Sequence, residues 1–231
     1  MTIQEAILAR HSVRQYLNKD IEEEKVAELQ QAIGKANTEA GTDTGGKARI
    51  HLQLVTKEPL AFSQGLAKYG KFSGVSNYIV LVCRRGNDEL VGYYGERVAL
   101  LAQMLGLNSC WVGLTYKKQP DHYTVEADEA ILGVIALGYG VTQGVQHSMR
   151  PLENYCKVQG AMPEWFRKGM EAAMLAPTAT HMQKFEFELL PDGKVAARTR
   201  FALIGSYREV DLGIVKYHFE IGAGTENFVW A

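Results

Sequence analysis

The chain has 231 residues, 46% of them hydrophobic, and 25 Lys and Arg against 26 Asp and Glu give it a formal net charge of −1. This composition excludes an intrinsically disordered chain. The near-neutral charge argues against nucleic acid as the main partner, because nucleic-acid-binding proteins usually present a strongly basic face. No apolar run approaches the roughly 18 residues that cross a bilayer, so we expect no membrane partner.

The N-terminus and the cysteines favour a cytoplasmic location. The first residues, MTIQEAILARHS, have no basic start followed by an apolar stretch, so they do not resemble a secretory signal. The three cysteines, Cys83, Cys110 and Cys156, are too few for a disulfide scaffold and include no C-x-x-C pair. We therefore expect free thiols in a reducing cytoplasm.

In the first part of the chain the patterns predict three helices and four strands. Thr2 and Glu5 form a capping box, which predicts a short helix ending near Arg10. Apolar periodicity predicts two further helices, at about 21–40 and 90–105, with a loop rich in Gly, Thr and Asp at 41–47. Alternating or continuously apolar stretches predict strands at 50–54, 78–83, 110–113 and 131–137.

The second part is shorter and contains one hairpin. Pro163 opens a predicted helix that must end before Pro177. Alternation over 185–189, the turn Pro191-Asp192-Gly193 and the stretch 195–201 predict two paired strands. A last helix is expected from Val210 to Gly222. The mixture predicts an α+β fold, with helices packed on a mostly antiparallel sheet.

The order of the elements suggests an internal repeat. A helix, a loop of small residues and a strand occur at 21–55 and again at 163–190, and a strand with a long helix occurs at 78–106 and again at 195–222. We expect a single unit over 1–231. The alternative is a chain of two fused halves, 1–155 and 160–231, that mimics a dimer.

Several familiar motifs fail. Gly41-x4-Gly46-Lys47 is followed by Ala48 rather than Ser or Thr, and a predicted helix precedes it, which is the reverse of a phosphate-binding P-loop. Gly138-Tyr139-Gly140 is followed by no helix, so it does not match a dinucleotide fingerprint. The six histidines have no metal-ligand spacing, and no nucleophile or acid–base pair stands out. We therefore expect no metal site and assign no catalytic residue.

Three polar segments remain as candidate binding residues. Arg10-His11-Ser12-Val13-Arg14 offers two guanidinium groups and a hydroxyl, which suit phosphate oxygens. Residues 147–152, His-Ser-Met-Arg-Pro-Leu, form a second basic cluster. Residues 176–183 form a turn of small and hydroxyl residues where backbone groups can approach a flat ligand. The alternative for each segment is an ordinary polar helix end or turn.

Together, these segments resemble the nitroreductase family of FMN-dependent oxidoreductases. In that family an N-terminal Arg-x-Ser-x-Arg segment holds the FMN phosphate and ribityl chain. The resemblance implies cofactor contacts here from Arg10, His11, Ser12 and Arg14. A C-terminal segment of the family near the phosphate is similar to Arg150-Pro151-Leu152. This implies further contacts from His147, Met149 and Arg150.

Two other stretches are similar to parts of the family that surround the flavin ring. The family's Pro-Ser-Ala-x-Asn-x-Gln segment packs on the flavin from across the dimer interface. The similar stretch here implies contacts from Pro177, Thr178, Ala179, His181 and Gln183. The stretch 106–113 is similar to the family's helix-to-strand entry beside the ring. This implies backbone donors at Val112, Gly113 and Leu114.

The chain departs from the usual family pattern in position and in detail. The Pro-Ser-Ala-x-Asn segment normally follows the second helix, where this chain has the loop at 37–47 without the motif. The similar stretch appears at 177–183 instead, as in a variant branch in which one chain contains both halves of the dimer interface. His181 stands where the family has Asn, and Lys184-Phe185 stands where it has Pro-Trp.

The resemblance implies an FMN-dependent enzyme. NADH or NADPH would reduce the flavin, and a nitroaromatic, quinone or similar flat acceptor would reoxidise it in a ping-pong cycle. Two alternatives stay open, a non-catalytic flavin-binding protein and a cofactor-free binding module on the same fold. The sequence does not distinguish NADH from NADPH, identify the acceptor, or decide between a monomer that mimics a dimer and a homodimer.

Overall fold

The computed structural model describes residues 1–46, 48–63, 70–200 and 207–231. The described residues contain five α-helices: α1 (Ile3–Ala9), α2 (Glu23–Asp43), α3 (Asp88–Met104), α4 (Glu164–Met174) and α5 (Arg208–Ala223). They also contain seven strands: β1 (Ile50–Val55), β2 (Asn77–Arg84), β3 (Asn108–Val112), β4 (Glu129–Gly138), β5 (Cys156–Val158), β6 (Phe185–Leu189) and β7 (Val195–Thr199). None of the helices in these ranges is long and apolar enough to cross a membrane.

The strands form two sheets. The larger sheet has the order β1-β2-β4-β3, and every neighbouring pair in it is antiparallel. The smaller sheet has the order β5-β6-β7, with β5 parallel to β6 and the predicted β6–β7 hairpin antiparallel. The α+β class and the mostly antiparallel pairing are therefore confirmed, with the strands divided between two sheets.

Local signals placed most elements correctly. The capping box at Thr2 and Glu5 is present, and α1 ends one residue before Arg10. The second helix begins two residues later and ends three residues later than predicted, shortly before Gly45 and Gly46, which have φ of 61° and 80°. The predicted loop at 41–47 is thus partly helical, and Lys47 lies outside the described residues. Phe201, expected at the end of the hairpin, lies outside them as well.

The larger sheet is buried on both faces. Ile79 and Leu81 of β2 pack with side chains of α2 and α3, while Tyr78 and Val80 pack on the opposite face against the segment around Tyr16. This explains the continuous apolar run of β2, since a strand covered on both sides has no face left for polar residues. A separate apolar core lies between α4, α5 and the smaller sheet.

The two cores are joined where α3 crosses α5. A Cβ atom added at Gly92 of α3 would lie 1.9 Å from the carbonyl oxygen of Val210, and one added at Gly213 of α5 would lie 1.9 Å from the carbonyl oxygen of Glu89. Each glycine thus faces the carbonyl three positions before the other glycine. The contact is reciprocal, as in an interface between two copies of one surface. It lets the two helix backbones touch without side chains between them.

This crossing predicts that Gly92→Ala and Gly213→Ala each lower the free energy of unfolding by about 3 kcal/mol or more, because backbone cannot yield to the added methyl group. Gly34→Ala is the matched control, since Gly34 is an exposed glycine inside α2 with no atom within 4 Å of an added Cβ. It should raise the free energy of unfolding by about 0.5–1 kcal/mol. Denaturant unfolding of the three variants checks this, and a small loss at both crossing positions would contradict the close helix contact.

Candidate functional site

The first candidate segment runs from the end of α1 along the start of β3. Arg10 caps α1, with its backbone N–H donating to Ala6 O at 2.8 Å. Ser12 then forms a parallel bridge with Ser109, and the Val13 N–H donates to Ser109 O at 3.1 Å. These backbone bonds fix the direction of the segment, so that its side chains are placed by the sheet rather than by a free helix end.

Arg10 is buried rather than a polar helix end in water. Its side chain is 3% exposed, and Nε lies 3.4 Å from Oε1 of Glu96 in α3. That separation permits ion pairing, but among the described residues neither Nε nor Nη1 has a hydrogen-bond partner. Buried guanidinium N–H groups normally have acceptors, because an unsatisfied one loses its hydration without replacement. Arg10 therefore has donors to spare inside the protein.

Glu96 has partners from three parts of the chain. It is fully buried, and besides Arg10 it contacts Trp111 Nε1 at 2.7 Å and His218 Nε2 at 2.9 Å. The other ring nitrogen of His218, Nδ1, lies 3.1 Å from the carbonyl oxygen of Ala172. A carbonyl only accepts, so Nδ1 donates to Ala172, while Nε2 faces the Glu96 carboxylate.

The third candidate segment is the loop between α4 and β6. The backbone N–H of Ala179 donates to both carboxylate oxygens of Asp211, at 3.0 and 3.1 Å. Thr180, His181 and Gln183 all have positive φ, at 49°, 55° and 47°. Such conformations are costly for residues other than glycine and persist only where surrounding contacts enforce them. Here Gln183, which is buried, donates through Nε2 to Met174 O at 2.8 Å.

Two histidines join the second and third segments. The rings of His147 and His181 lie with their centroids 3.9 Å apart and their planes at 41°. His147 Nε2 contacts Met174 O at 2.9 Å, and His181 Nε2 contacts Ser148 O at 3.0 Å. Burial, chiefly, and then the positive fields of His181, Arg10 and His11 hold the pKa of His147 below its usual value. The first segment therefore lies close to this pair.

The pKa of His11 is lowered as well, by burial and by Arg10. The Ser12 side chain interacts with the Cys110 thiol. Burial raises the pKa of Cys110 even though Arg14, Ser12 and Arg10 oppose the shift. A buried thiol with a raised pKa is unreactive.

The structure thus brings the first segment, His147 and the 177–183 loop together. Five other predicted positions lie apart from these contacts. Arg150 and Met149 are on an exposed stretch, and Met149 Sδ accepts from Gln146 Nε2 at 3.4 Å. At the far end of β3, Val112 is buried and Leu114 is 75% exposed. Between them a Cβ on Gly113 would meet the ring of Tyr207 at 2.6 Å.

Sequence reasoning missed Glu96, His218 and Asp211. Each lies on a helix whose apolar periodicity drew attention to its neighbours instead. The available signal was a charged or imidazole side chain on a face otherwise made of core residues, such as Glu96 between Tyr94 and Val98. Within the described ranges, no group of three or more His, Cys, Asp or Glu side chains is arranged to hold a metal ion.

Asp211 makes stability depend on pH. Burial raises its pKa to about 7, against about 3.9 for an unfolded aspartate. Between these pH values the unfolded chain binds fewer protons than the folded one, so stability falls as pH rises. Asp211→Asn keeps an oxygen for the Ala179 N–H but cannot ionise. We expect it to raise the free energy of unfolding at pH 8 by about 1–3 kcal/mol and to flatten the profile from pH 4 to 8.

Denaturant unfolding at several pH values checks the Asp211→Asn prediction. Asp121→Asn, on an exposed turn, is the matched control and should keep the wild-type profile. An Asp211→Asn profile as steep as that of the wild type would contradict the role of this carboxyl.

Comparison with known proteins agrees with this arrangement. A protein of Thermotoga maritima described as a putative nitroreductase shares 21% identity, and the match covers 96% of this chain and 83% of that chain with a TM-score of 0.67. Another protein with that description, from Desulfovibrio desulfuricans in complex with FMN, shares 18% identity over 71% of this chain and 99% of its own, with a TM-score of 0.51. At these identities the similarity shows the fold alone. No curated protein matches the chain.

The family comparison covers nearly the whole chain. A family model with the description "Putative TM nitroreductase" matches residues 2–223, from the capping box of α1 to the last residue of α5. The match therefore includes the Arg10 segment, both cores and the loop at 177–183. The chain belongs to this nitroreductase family.

Proposed function

We propose that this chain binds FMN and acts as an FMN-dependent oxidoreductase. The observation that carries the proposal is the buried guanidinium of Arg10, which has two nitrogens without hydrogen-bond partners among the described residues. The missing partner of such a group is an anion. A phosphate monoester carries close to two negative charges and three acceptor oxygens, which suits these donors.

The surrounding residues fit a phosphate rather than a cation. His11, His147 and His181 lie near Arg10, and the charges that act on His147 are all positive. Within the described part of the chain, the carboxylate beside Arg10 is that of Glu96, which Trp111 and His218 already contact. A polyanion would therefore relieve the repulsion within this cluster, whereas a metal cation would add to it.

Other residues would hold the remainder of the cofactor. By resemblance to the family, Ser12 and Arg14 would contact the ribityl chain, and Arg150 would contact the phosphate. Pro177, Thr178, Ala179 and Gln183 would line one face of the ring, and the backbone at Val112, Gly113 and Leu114 would border its edge. The left-handed backbone at Thr180, His181 and Gln183 supports this placement, because strain of that kind collects at ligand sites.

When bound, FMN would supply the redox chemistry, carrying electrons from NAD(P)H to a nitroaromatic, quinone or similar flat acceptor in a ping-pong cycle. The protein's part would be to orient the flavin, balance its charge and leave one ring face open for NAD(P)H and acceptor in turn. This division explains why no nucleophile or acid–base pair stands out in the chain. A cytoplasmic location, which the free cysteines favour, would provide the nicotinamide donors.

We also propose that one chain forms both sides of the site. The loop at 177–183 reaches His147 from the second half of the chain, as a partner subunit would in a symmetric dimer. The reciprocal contact of Gly92 and Gly213 supports the same interpretation. The proposed halves, 1–155 and 160–231, are not equal, since the second has no described counterpart of β3 and β4. We therefore expect one flavin per chain in a monomer rather than a homodimer.

Arg10→Gln tests the site directly. Losing charge-assisted hydrogen bonds worth about 1.5–3 kcal/mol should weaken FMN binding by about 10- to 100-fold. Riboflavin, which lacks the phosphate, should bind the variant and the wild type with similar affinity. Flavin fluorescence titration measures both. Arg85→Gln, on the exposed surface, is the control and should change neither value. An equal loss for both flavins would remove Arg10 from the phosphate site.

Turnover separates the enzyme from its alternatives. With FMN bound, NADH or NADPH should bleach the flavin absorption in the absence of oxygen, and a quinone or nitroaromatic should restore it. Stopped-flow absorption measures both half-reactions. Bound FMN without bleaching by either nucleotide would favour the non-catalytic flavin protein. A chain that binds no flavin would favour the cofactor-free binding module.

A further inference from the structure

Each ring of the histidine pair is held in place through its own Nε2 atom. Nε2 of His147 contacts the carbonyl oxygen of Met174 at 2.9 Å, and Nε2 of His181 contacts the carbonyl oxygen of Ser148 at 3.0 Å. Carbonyl oxygens only accept, so in both rings Nε2 carries the hydrogen. Nδ1 is then the nitrogen that gains or loses a proton in each ring, and it becomes a donor only when protonated.

The surroundings of His147 oppose its protonation in the absence of an anion. Burial is the main cause, and Arg10 and His11 from the first segment and His181 from the loop add to it. Asp211 of α5 is a titratable acid next to the loop, where it holds Ala179. Arg150, on the same stretch as His147, is exposed. Protonation of His147 is therefore favoured by a further negative charge.

We propose that His147 and His181 form a proton-linked clamp that selects the phosphate of FMN over flavins without a phosphate. The proposal rests on the proposed function, since it assigns the source of that negative charge to the bound cofactor. A dianion beside two fixed rings favours their protonated form, and each protonated Nδ1 then adds a charge-assisted donor. The clamp joins the two proposed halves of the chain, because His147 lies in the first half and His181 lies in the second.

The direction of the pH effect follows from linkage. The free protein keeps His147 neutral at neutral pH, since its pKa is lowered, and a bound phosphate would raise that pKa. FMN binding then takes up protons, so affinity increases as pH falls. The phosphate's own titration would have the opposite effect on affinity. Its second pKa is about 6, so it loses negative charge as the pH falls and would bind more weakly. The sign of the effect thus separates the clamp from the cofactor's own titration.

The experiment is a fluorescence titration of the wild-type chain with FMN and with riboflavin between about pH 6.5 and pH 8.5. The ratio of the two dissociation constants is the readout, because Asp211 and other groups that affect the fold act on both flavins alike. We expect the preference for FMN to be about 3- to 10-fold larger at the lower pH. A constant ratio, or one that falls towards low pH, would overturn the proposal.

His147→Gln and His181→Gln test the two rings separately. The glutamine Nε2 can donate to the same carbonyl, so the fixed contact is kept while the titrating nitrogen is removed. Each variant should lose most of the pH dependence of the FMN preference and still bind riboflavin. If one variant fails to fold, the other gives the same information. His122→Gln, on an exposed turn, should keep the wild-type profile.

The outcomes separate this proposal from the proposed function. Binding of both flavins with an unchanged, pH-independent ratio would overturn the clamp and leave the flavin site intact. A ratio that keeps its pH dependence in both histidine variants would also overturn the clamp. Failure to bind either flavin at any pH would overturn the proposed function, and the clamp with it.

Discussion

The candidate site depends on one buried ion pair, Arg10 with Glu96. A buried charge costs several kcal/mol unless partners surround it, and Glu96 has them in Arg10, Trp111 and His218. Those partners come from the end of α1, from β3 and from α5, so one carboxylate ties the first segment to both cores. Arg10 is held in place by this network, yet part of its guanidinium is left without an acceptor. That combination of fixed position and spare donors suits an anion-binding residue.

The contact between α3 and α5 determines what else reaches Arg10. Because Gly92 and Gly213 allow the backbones to touch, α5 brings His218 to Glu96 and Asp211 to the loop at 177–183. The same crossing brings that loop to His147. We propose that the second half of the chain takes the place of the partner subunit that would face the flavin in a dimer. The described residues of this half include no counterparts of β3 and β4, so they do not form a second complete site.

The sequence predicted those helices and strands that depend on patterns within a few neighbouring residues. The capping box, the apolar periodicity of α3 and the double-sided burial of β2 act within a few residues, so the helices and strands could be placed from them. The motif at Arg10–Arg14 and the loop at 177–183 were found through resemblance, and the structure brings them together. Glu96 and His218 could not be paired, because 122 positions separate them and each occupies an unremarkable helical position. The cofactor roles of all the predicted site residues stay predictions.

The most direct measurement is the visible absorption of the purified chain, with mass identification of any flavin that acid releases and light scattering for the mass in solution. The account predicts flavin absorption bands, FMN as the released species, and one FMN per chain in a monomer. A colourless chain that stays colourless after incubation with FMN would contradict it. The spare donors of Arg10 would then have to serve a different anion.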